Sequence, residues 1–312
     1  MTGPVAAIDC GTNSIRLLVA DRSGDSLVDL DRRMTVVRLG EGVDRTGRLS
    51  SAALQRTFAA CRNYGEVISD LGADRIRFVA TSASRDADNS AEFTAGVEQI
   101  LGVEPEVISG DEEARLSYVG ATRGLAHDEP VVIFDIGGGS TEFVVGDGGV
   151  GQAISVDMGC VRYHERFLVS DPPSEEELAA LVATADEFMD RVLAAIDVTA
   201  ARDVVGLAGT VTTVAALALG LPLYDSERIH GARIAAADID RIAADLARLT
   251  VAERRDLAVM HPGRADVIVS GATILAVIMR RLGMSSLIAS EHDILDGLAW
   301  SLLDPQVRPR PD

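Results

Sequence analysis

Two stretches of this chain read as one piece of structure written twice. Residues 131–147, VVIFDIGGGSTEFVVGD, place an apolar run before Asp135, then three glycines, then Ser140, Thr141, Glu142 and a second apolar run. The pattern predicts a strand, a tight glycine turn and a returning strand. Residues 5–21, VAAIDCGTNSIRLLVAD, align with it without a gap at an offset of 126 residues: Asp9 meets Asp135, Gly11 meets Gly137, Ser14 meets Ser140 and Asp21 meets Asp147. A second pair lies at an offset of 128, IRFVATSAS (76–84) and VVGLAGTVT (204–212), each an apolar strand ending in small and hydroxyl residues. Repetition in the same order at nearly equal spacing predicts a duplicated domain. Ligand sites in two-lobed α/β proteins usually lie between the lobes.

The turns suit an anion. Gly137, Gly138 and Gly139 carry no side chains, so their backbone N–H groups can approach a ligand and form an anion-binding nest. Asp135 ends a buried strand, where a bare carboxylate is costly and a metal ion would supply a partner. Phosphate with a hard divalent cation is the first expectation. Thr81, Ser82, Ser84, Arg85 and Asn89 follow a strand (Arg75–Ala80) and lead into a helix over 92–101, and Gly209 and Thr210 follow the strand 204–208 and lead into a helix at 214–219. A strand end feeding a helix N-terminus is a good phosphate site. Asp111, Glu112 and Glu113 open another helix; capping explains them, and one of them could also act as general base on a water.

The remaining segments fill out the two lobes. A short strand is expected at 33–39, a helix capped by Ser50 or Ser51 through Leu71, and a strand at 106–108. His127–Pro130 reads as the junction. Further expectations are a strand at 153–158, a proline-started helix from SDPPSEEEL, an amphipathic helix at 236–248, an apolar helix within 261–279, a strand at 287–290, and a last helix in EHDILDGLAWSLL that returns to the first lobe. The tail RPRPD is expected to fray. The expected division is 1–126 with 298–312 for the first domain and 127–297 for the second.

Composition narrows the function classes. Every one of the 29 basic residues is arginine, against 48 acids and a net charge of −19, so a broad nucleic-acid face is disfavoured. Arginine grips phosphate bidentately, so a few local arginines can still serve a small or linear polyanion. No run reaches transmembrane length, and the N-terminus lacks a signal peptide's basic region, so a membrane is not expected. Cys10, Cys61 and Cys160 form no metal or disulfide framework, which fits a cytoplasmic setting, and His230, His261 and His292 lack ligand spacing.

With these motifs in hand, the chain resembles the exopolyphosphatase and guanosine pentaphosphate phosphatase family of the actin, sugar kinase and heat-shock chaperone superfamily. The matching stretches are AAIDCGTNSIRLLV, FVATSASRDADN, VISGDEEARLSYVG, FDIGGGSTEFVVG, GLAGTVTTVAAL and PGRADVIVSGATIL, spanning nearly the whole chain. The resemblance implies an α/β fold of two ribonuclease-H-like (actin-like ATPase) domains around a central cleft, and Mg²⁺-assisted removal of a terminal phosphate. It matches Glu112 to the family's catalytic glutamate, which polarises the attacking water. Asp135 and Glu142 match the acids around metal and nucleophile, so the implied metal set is Asp135, Glu112 and Glu142. Asn13, Ser14, Ser82, Arg85 and Gly137–Ser140 match the phosphate-binding surface, and Gly209 and Thr210 the second lobe's phosphate loop. Long family members carry a C-terminal helical extension that this chain lacks, so activity on short polyphosphate or chain ends is expected. The implied partners are inorganic polyphosphate or the nucleotides (p)ppGpp, and a second copy in a homodimer. Three readings stand: exopolyphosphatase, guanosine pentaphosphate phosphohydrolase, and a non-catalytic polyphosphate or nucleotide sensor. A sugar kinase or chaperone-type ATPase is disfavoured by SGDEEAR.

Overall fold

The computed structural model describes residues 3–304; the tail RPRPD lies outside them. The chain forms two compact units, one of residues up to Gly124 together with those from His292 onward, the other Leu125–Glu291.

The first unit contains β1 (Val5–Cys10), β2 (Ser14–Ser23), β3 (Ser26–Val36), the single turn α1 (Val43–Thr46), α2 (Ser51–Asp70), β4 (Arg75–Ala80), the single turn α3 (Ser82–Arg85), α4 (Ser90–Leu101), the short β5 (Glu106–Val107) and α5 (Gly110–Thr122). Its sheet has the order β3-β2-β1-β4-β5, with β2 antiparallel and β4 parallel to β1. β1 is central and covered on both faces, which is why VAAIDC is buried along its whole length rather than alternating. Ile8, Cys10 and Phe78 face a core shared with Leu54, Tyr64 and Phe93. Val5, Ala7 and Val79 face a second core. α2 starts where Ser50 Oγ accepts the Ala53 N–H at 3.2 Å.

The second unit repeats the plan with β6 (Val131–Ile136), β7 (Thr141–Gly146), β8 (Val150–Val156), α6 (Cys160–Phe167), α7 (Glu175–Ala195), β9 (Asp203–Leu207) and α8 (Ala208–Ala218). It continues through the single turn α9 (Ser226–Ile229), β10 (Arg233–Ala235), α10 (Ala236–Arg248), α11 (Val251–Arg255), α12 (Ile268–Leu282) and β11 (Ser286–Ala289). The sheet order is β10-β11-β9-β6-β7-β8, again with an antiparallel meander and a parallel neighbour. α7 is started by a capping box of Ser174 and Glu177, one residue past the proline pair.

Three elements differ from the sequence reading. β3 runs from Ser26, not from residue 33, and carries Asp29, Asp31, Arg32 and Arg33 along its length. It is an edge strand aligned by its ladder to β2, so pairing decides its extent and an apolar pattern does not. α8 begins at Ala208, immediately after β9, so Gly209 and Thr210 lie in its first turn; Ala208 takes φ 67°, an uncommon value outside glycine. The chain leaves the second unit at Glu291 rather than at 297. The last helix, α13 (Ile294–Leu303), and the turn before it belong to the first unit, because Asp293 and Asp296 pair with Arg16 and Arg32 there.

α13 crosses α5 backbone to backbone. A Cβ at Gly120 would lie 1.8 Å from the Asp293 carbonyl oxygen, and one at Gly297 would lie 2.0 Å from that of Leu116. Alanine is the better helix former by about 1 kcal/mol, but overpacking costs typically 1–3 kcal/mol and neither backbone can yield. Gly120→Ala and Gly297→Ala are therefore each expected to destabilise the protein by about 2 kcal/mol or more in denaturant unfolding. A stabilised alanine variant would show that the helices can separate freely.

Candidate active site

In the first unit the candidate residues collect where β1 and β4, paired in register, reach their carboxyl ends. The turn after β1 closes with the Gly11 N–H donating to the Ser14 carbonyl at 3.0 Å, and Thr12 Oγ1 lies 2.9 Å from Ser82 Oγ. Asn13 is held by its own carbonyl, which accepts the N–H groups of Val37 and Arg38. Ser82 and Ser84 are buried, and Ser84 Oγ has no hydrogen-bond partner among the described residues. Arg85 donates to the Ile108 carbonyl at 2.9 Å and approaches Glu113 Oε2 at 3.5 Å. Asn89 belongs elsewhere: its amide pairs with the N–H and C=O of Leu49, stapling a loop.

The acidic triplet opening α5 is divided by helix geometry, since neighbouring residues point about 100° apart. Glu112 accepts from Arg77 Nη2 at 2.8 Å, and the same arginine holds Glu106 and Ser301. Arg77 lies three residues before Ala80, about 10 Å of strand from the carboxyl end. Glu112, expected as catalytic and metal-binding, is held by Arg77. Glu113, set aside by the sequence reading, is the buried acid beside Arg85.

Asp9 is the penultimate residue of β1, at 4% exposure. It lies opposite Arg16 in the β1–β2 ladder and accepts from Arg16 Nε and Nη2 at 3.0 and 2.7 Å. Burial pushes its pKa up against the lowering pull of Arg16.

In the second unit the three-glycine turn closes with the same bond, Gly137 N–H to the Ser140 carbonyl at 3.0 Å. Its three glycine carbonyls are all held by α6. Gly137 and Gly138 accept the N–H groups of Cys160, Val161 and Arg162, and Gly139 accepts from Arg162 Nε at 2.8 Å. In a trans peptide the N–H points opposite the preceding carbonyl. With the carbonyls turned toward α6, the amides of Gly138, Gly139 and Ser140 face the other way, as an anion nest requires. The approach depends on Gly159, whose Cβ would lie 2.3 Å from the Gly138 oxygen.

Asp135 and Glu142 stand directly opposite each other across β6 and β7, both buried. Glu142 Oε1 accepts from Ser140 Oγ at 2.6 Å and Ser155 Oγ at 2.7 Å. Like charges directly opposite in a ladder are destabilising, and two hard carboxylates are what a divalent cation such as Mg²⁺ accepts. Among the described residues no group of three or more His, Cys, Asp or Glu forms a complete metal cage. Mg²⁺ does not need one, since it keeps waters and takes one or two carboxylates plus substrate phosphate. Asp135 and Glu142 therefore fit the implied ion.

At the head of α8, Arg264 lies flat against Gly209. A Cβ there would come within 2.1 Å of the guanidinium carbon, and Arg264 Nη1 donates to the Gly209 carbonyl at 3.4 Å. Thr210 is buried and packs on Gly271, where a Cβ would meet its hydroxyl at 2.4 Å. Arg162 and Arg264 were absent from the sequence-based site, and the only hint was an arginine next to a glycine-rich segment in each case. The thiols offer no nucleophile: burial raises the pKa of Cys10 and pushes Cys61 to about 12 and Cys160 to about 11.

Comparison with known proteins assigns the chain to a family. The model of the Ppx/GppA phosphatase family matches residues 18–305. The chain belongs to this family. It is 45% identical to exopolyphosphatase 2 of Mycobacterium tuberculosis over 96% of the chain and 98% of that protein. Among solved structures, an exopolyphosphatase-like protein superposes with a TM-score of 0.93 at 41% identity, covering 96% of this chain and 97% of that one. The Ppx/GppA family member of Aquifex aeolicus superposes at 0.83 with 31% identity, covering 97% and 98%. For a Ppx/GppA phosphatase the glycine turn and the head of α8 are phosphate-binding candidates. Gly209→Ala is expected to displace Arg264 and raise KM for a phosphorylated substrate about tenfold, as loss of roughly 1.4 kcal/mol of charge-assisted binding would. An unchanged KM would remove the Arg264–Gly209 pair from substrate binding.

Proposed function

We propose that the protein is an exopolyphosphatase, releasing orthophosphate from the ends of inorganic polyphosphate, with short chains favoured. The observation that carries this is the Gly137–Ser140 turn, whose amides are turned outward by α6 next to two facing carboxylates. The close relation to a protein named exopolyphosphatase supports it. Mg²⁺, a homodimeric assembly and a cytoplasmic setting belong to the same proposal; among the described residues no helix is long and apolar enough to cross a membrane.

The chain's own groups supply binding, orientation and a base. The amides of Gly138, Gly139 and Ser140 and the arginines Arg162 and Arg264 of the second unit bind phosphate oxygens. Ser82 and Arg85 do so in the first. Asp135 and Glu142 would hold Mg²⁺, which when bound neutralises phosphate charge as it develops. Water oxygen attacks the terminal phosphorus, the phosphoanhydride bond breaks, the shortened chain leaves with the bond electrons, and the water proton passes to a carboxylate. We assign that carboxylate to Glu113, buried beside Arg85, rather than to Glu112, which Arg77 holds.

The test compares orthophosphate release with Mg²⁺ from tripolyphosphate, long-chain polyphosphate and guanosine pentaphosphate. Release mainly from tripolyphosphate is expected. Release mainly from guanosine pentaphosphate would make the nucleotide the substrate, and tight binding without release would make the protein a sensor. Glu113→Gln is expected to lower kcat by about 10²-fold or more, as loss of a general base does, with Glu112→Gln within a few-fold of wild type. The opposite ranking would return the base to Glu112.

A further inference from the structure

Asp293 is the N-cap of α13, and its bonds exceed what a cap needs. Its Oδ1 accepts the Leu295 N–H at 3.0 Å, which completes the capping role. Its other oxygen, Oδ2, accepts from Arg16 Nη1, 277 residues away along the chain. Arg16 is the same arginine whose Nε and Nη2 hold Asp9. Asp293 is 3% exposed and Asp9 4%, so two buried carboxylates share one guanidinium.

The neighbouring acid is held by a different arginine. Asp296, on the same turn, has its own arginine: Arg32 Nη2 reaches Asp296 Oδ1 at 2.6 Å, and Asp296 Oδ2 caps the Asp293 N–H at 3.0 Å. Arg32 is shared as well, its Nε donating to Asp29 Oδ2 at 2.6 Å, but Asp29 is exposed whereas Asp9 is buried. Had Arg16 served Asp9 alone, the β1–β2 pair would be a neutral salt bridge. With Asp293 drawing on it, Asp9 is only partly neutralised, and Asp9 Oδ1 is buried without a hydrogen-bond partner among the described residues. That oxygen belongs to the strand end leading into the Gly11–Ser14 turn. The first turn of α13 has little room to drift, because the Asp293 carbonyl lies in backbone contact with Gly120 of α5.

We infer that Asp293 is a positioning residue for the phosphatase reaction: through Arg16 it fixes the Asp9 carboxylate at the first phosphate turn and keeps it from being fully neutralised. The inference rests on the phosphatase reading above. The cap alone does not require the charge, since asparagine caps as well as aspartate.

The experiment measures kcat and KM for tripolyphosphate, and the melting temperature, in wild type, Asp293→Asn, Arg16→Met and the double variant. Asp293→Asn keeps the cap and removes the charge. Its kcat is expected to fall about tenfold, the scale of a misplaced reacting group, with KM within about twofold. The double variant is expected to be no slower than Arg16→Met alone, because the effect passes through Arg16. A kcat for Asp293→Asn within twofold of wild type, or losses that multiply in the double variant, would overturn the inference. Should circular dichroism show Asp293→Asn unfolded, Arg16→Lys is read in its place. Lysine keeps the charge but lacks the fork that spans two carboxylates, so the same tenfold loss is expected and wild-type turnover overturns the inference. Inactivity of the wild type on every substrate would be a failure of the functional reading, whereas an active wild type beside an equally active Asp293→Asn is a failure of this inference alone.

Discussion

Asp9 and Asp135 each sit near the end of a strand that is buried along its length, where an uncompensated carboxylate costs several kcal/mol. The duplicated units answer that cost in opposite ways. Opposite Asp9 the ladder places Arg16, and opposite Asp135 it places Glu142. At this ladder position the first unit sets an arginine against its acid, and the second sets another acid. The arrangement of the remaining groups follows from where the counter-charge comes from.

Close approach of main chains is the second constraint, and glycine supplies it at each place where function and packing meet. α6 reaches the three-glycine turn only because residue 159 has no Cβ, and Arg264 lies on the head of α8 only because residue 209 has none. α5 and α13 touch through Gly120 and Gly297. That contact ties the helix bearing Glu113 to the turn bearing Asp293. Few aromatic rings are available to fill gaps in this chain, so backbone proximity takes over part of their role in fixing geometry.

What the sequence made legible was whatever has a local period or a repeat. The two glycine hairpins, β4 at Arg75–Ala80 and α10 at Ala236–Arg248 follow the residues as read, because their apolar positions alternate or recur within a few residues. β3 was half hidden because an edge strand takes its extent from its partner. The start of α8 was displaced because Ala208 adopts a left-handed backbone that no propensity suggests. The choice between Glu112 and Glu113 turns on which arginine each meets, Arg77 or Arg85, and that is a fact of tertiary packing. Asp293 was invisible for the same reason: its partner is at the opposite end of the chain.

A net charge of −19 looks ill suited to a polyanionic substrate, and the arginine partners explain how the two coexist. Many arginines face carboxylates: Arg32 with Asp296, Arg77 with Glu106 and Glu112, Arg233 with Asp203, Arg280 and Arg281 with Asp186. The arginines at the candidate phosphate turns also donate to backbone carbonyls. Arg162 donates to the Gly139 carbonyl and lies 3.8 Å from Asp157 Oδ1, Arg264 donates to the Gly209 carbonyl, and Arg85 donates to the Ile108 carbonyl with Glu113 Oε2 at 3.5 Å. A carbonyl orients a guanidinium without cancelling its charge, whereas a carboxylate does both. At cellular salt, charges beyond about 8–10 Å are screened, so these oriented arginines, and not the overall balance, set the potential that a phosphate would meet at the turns.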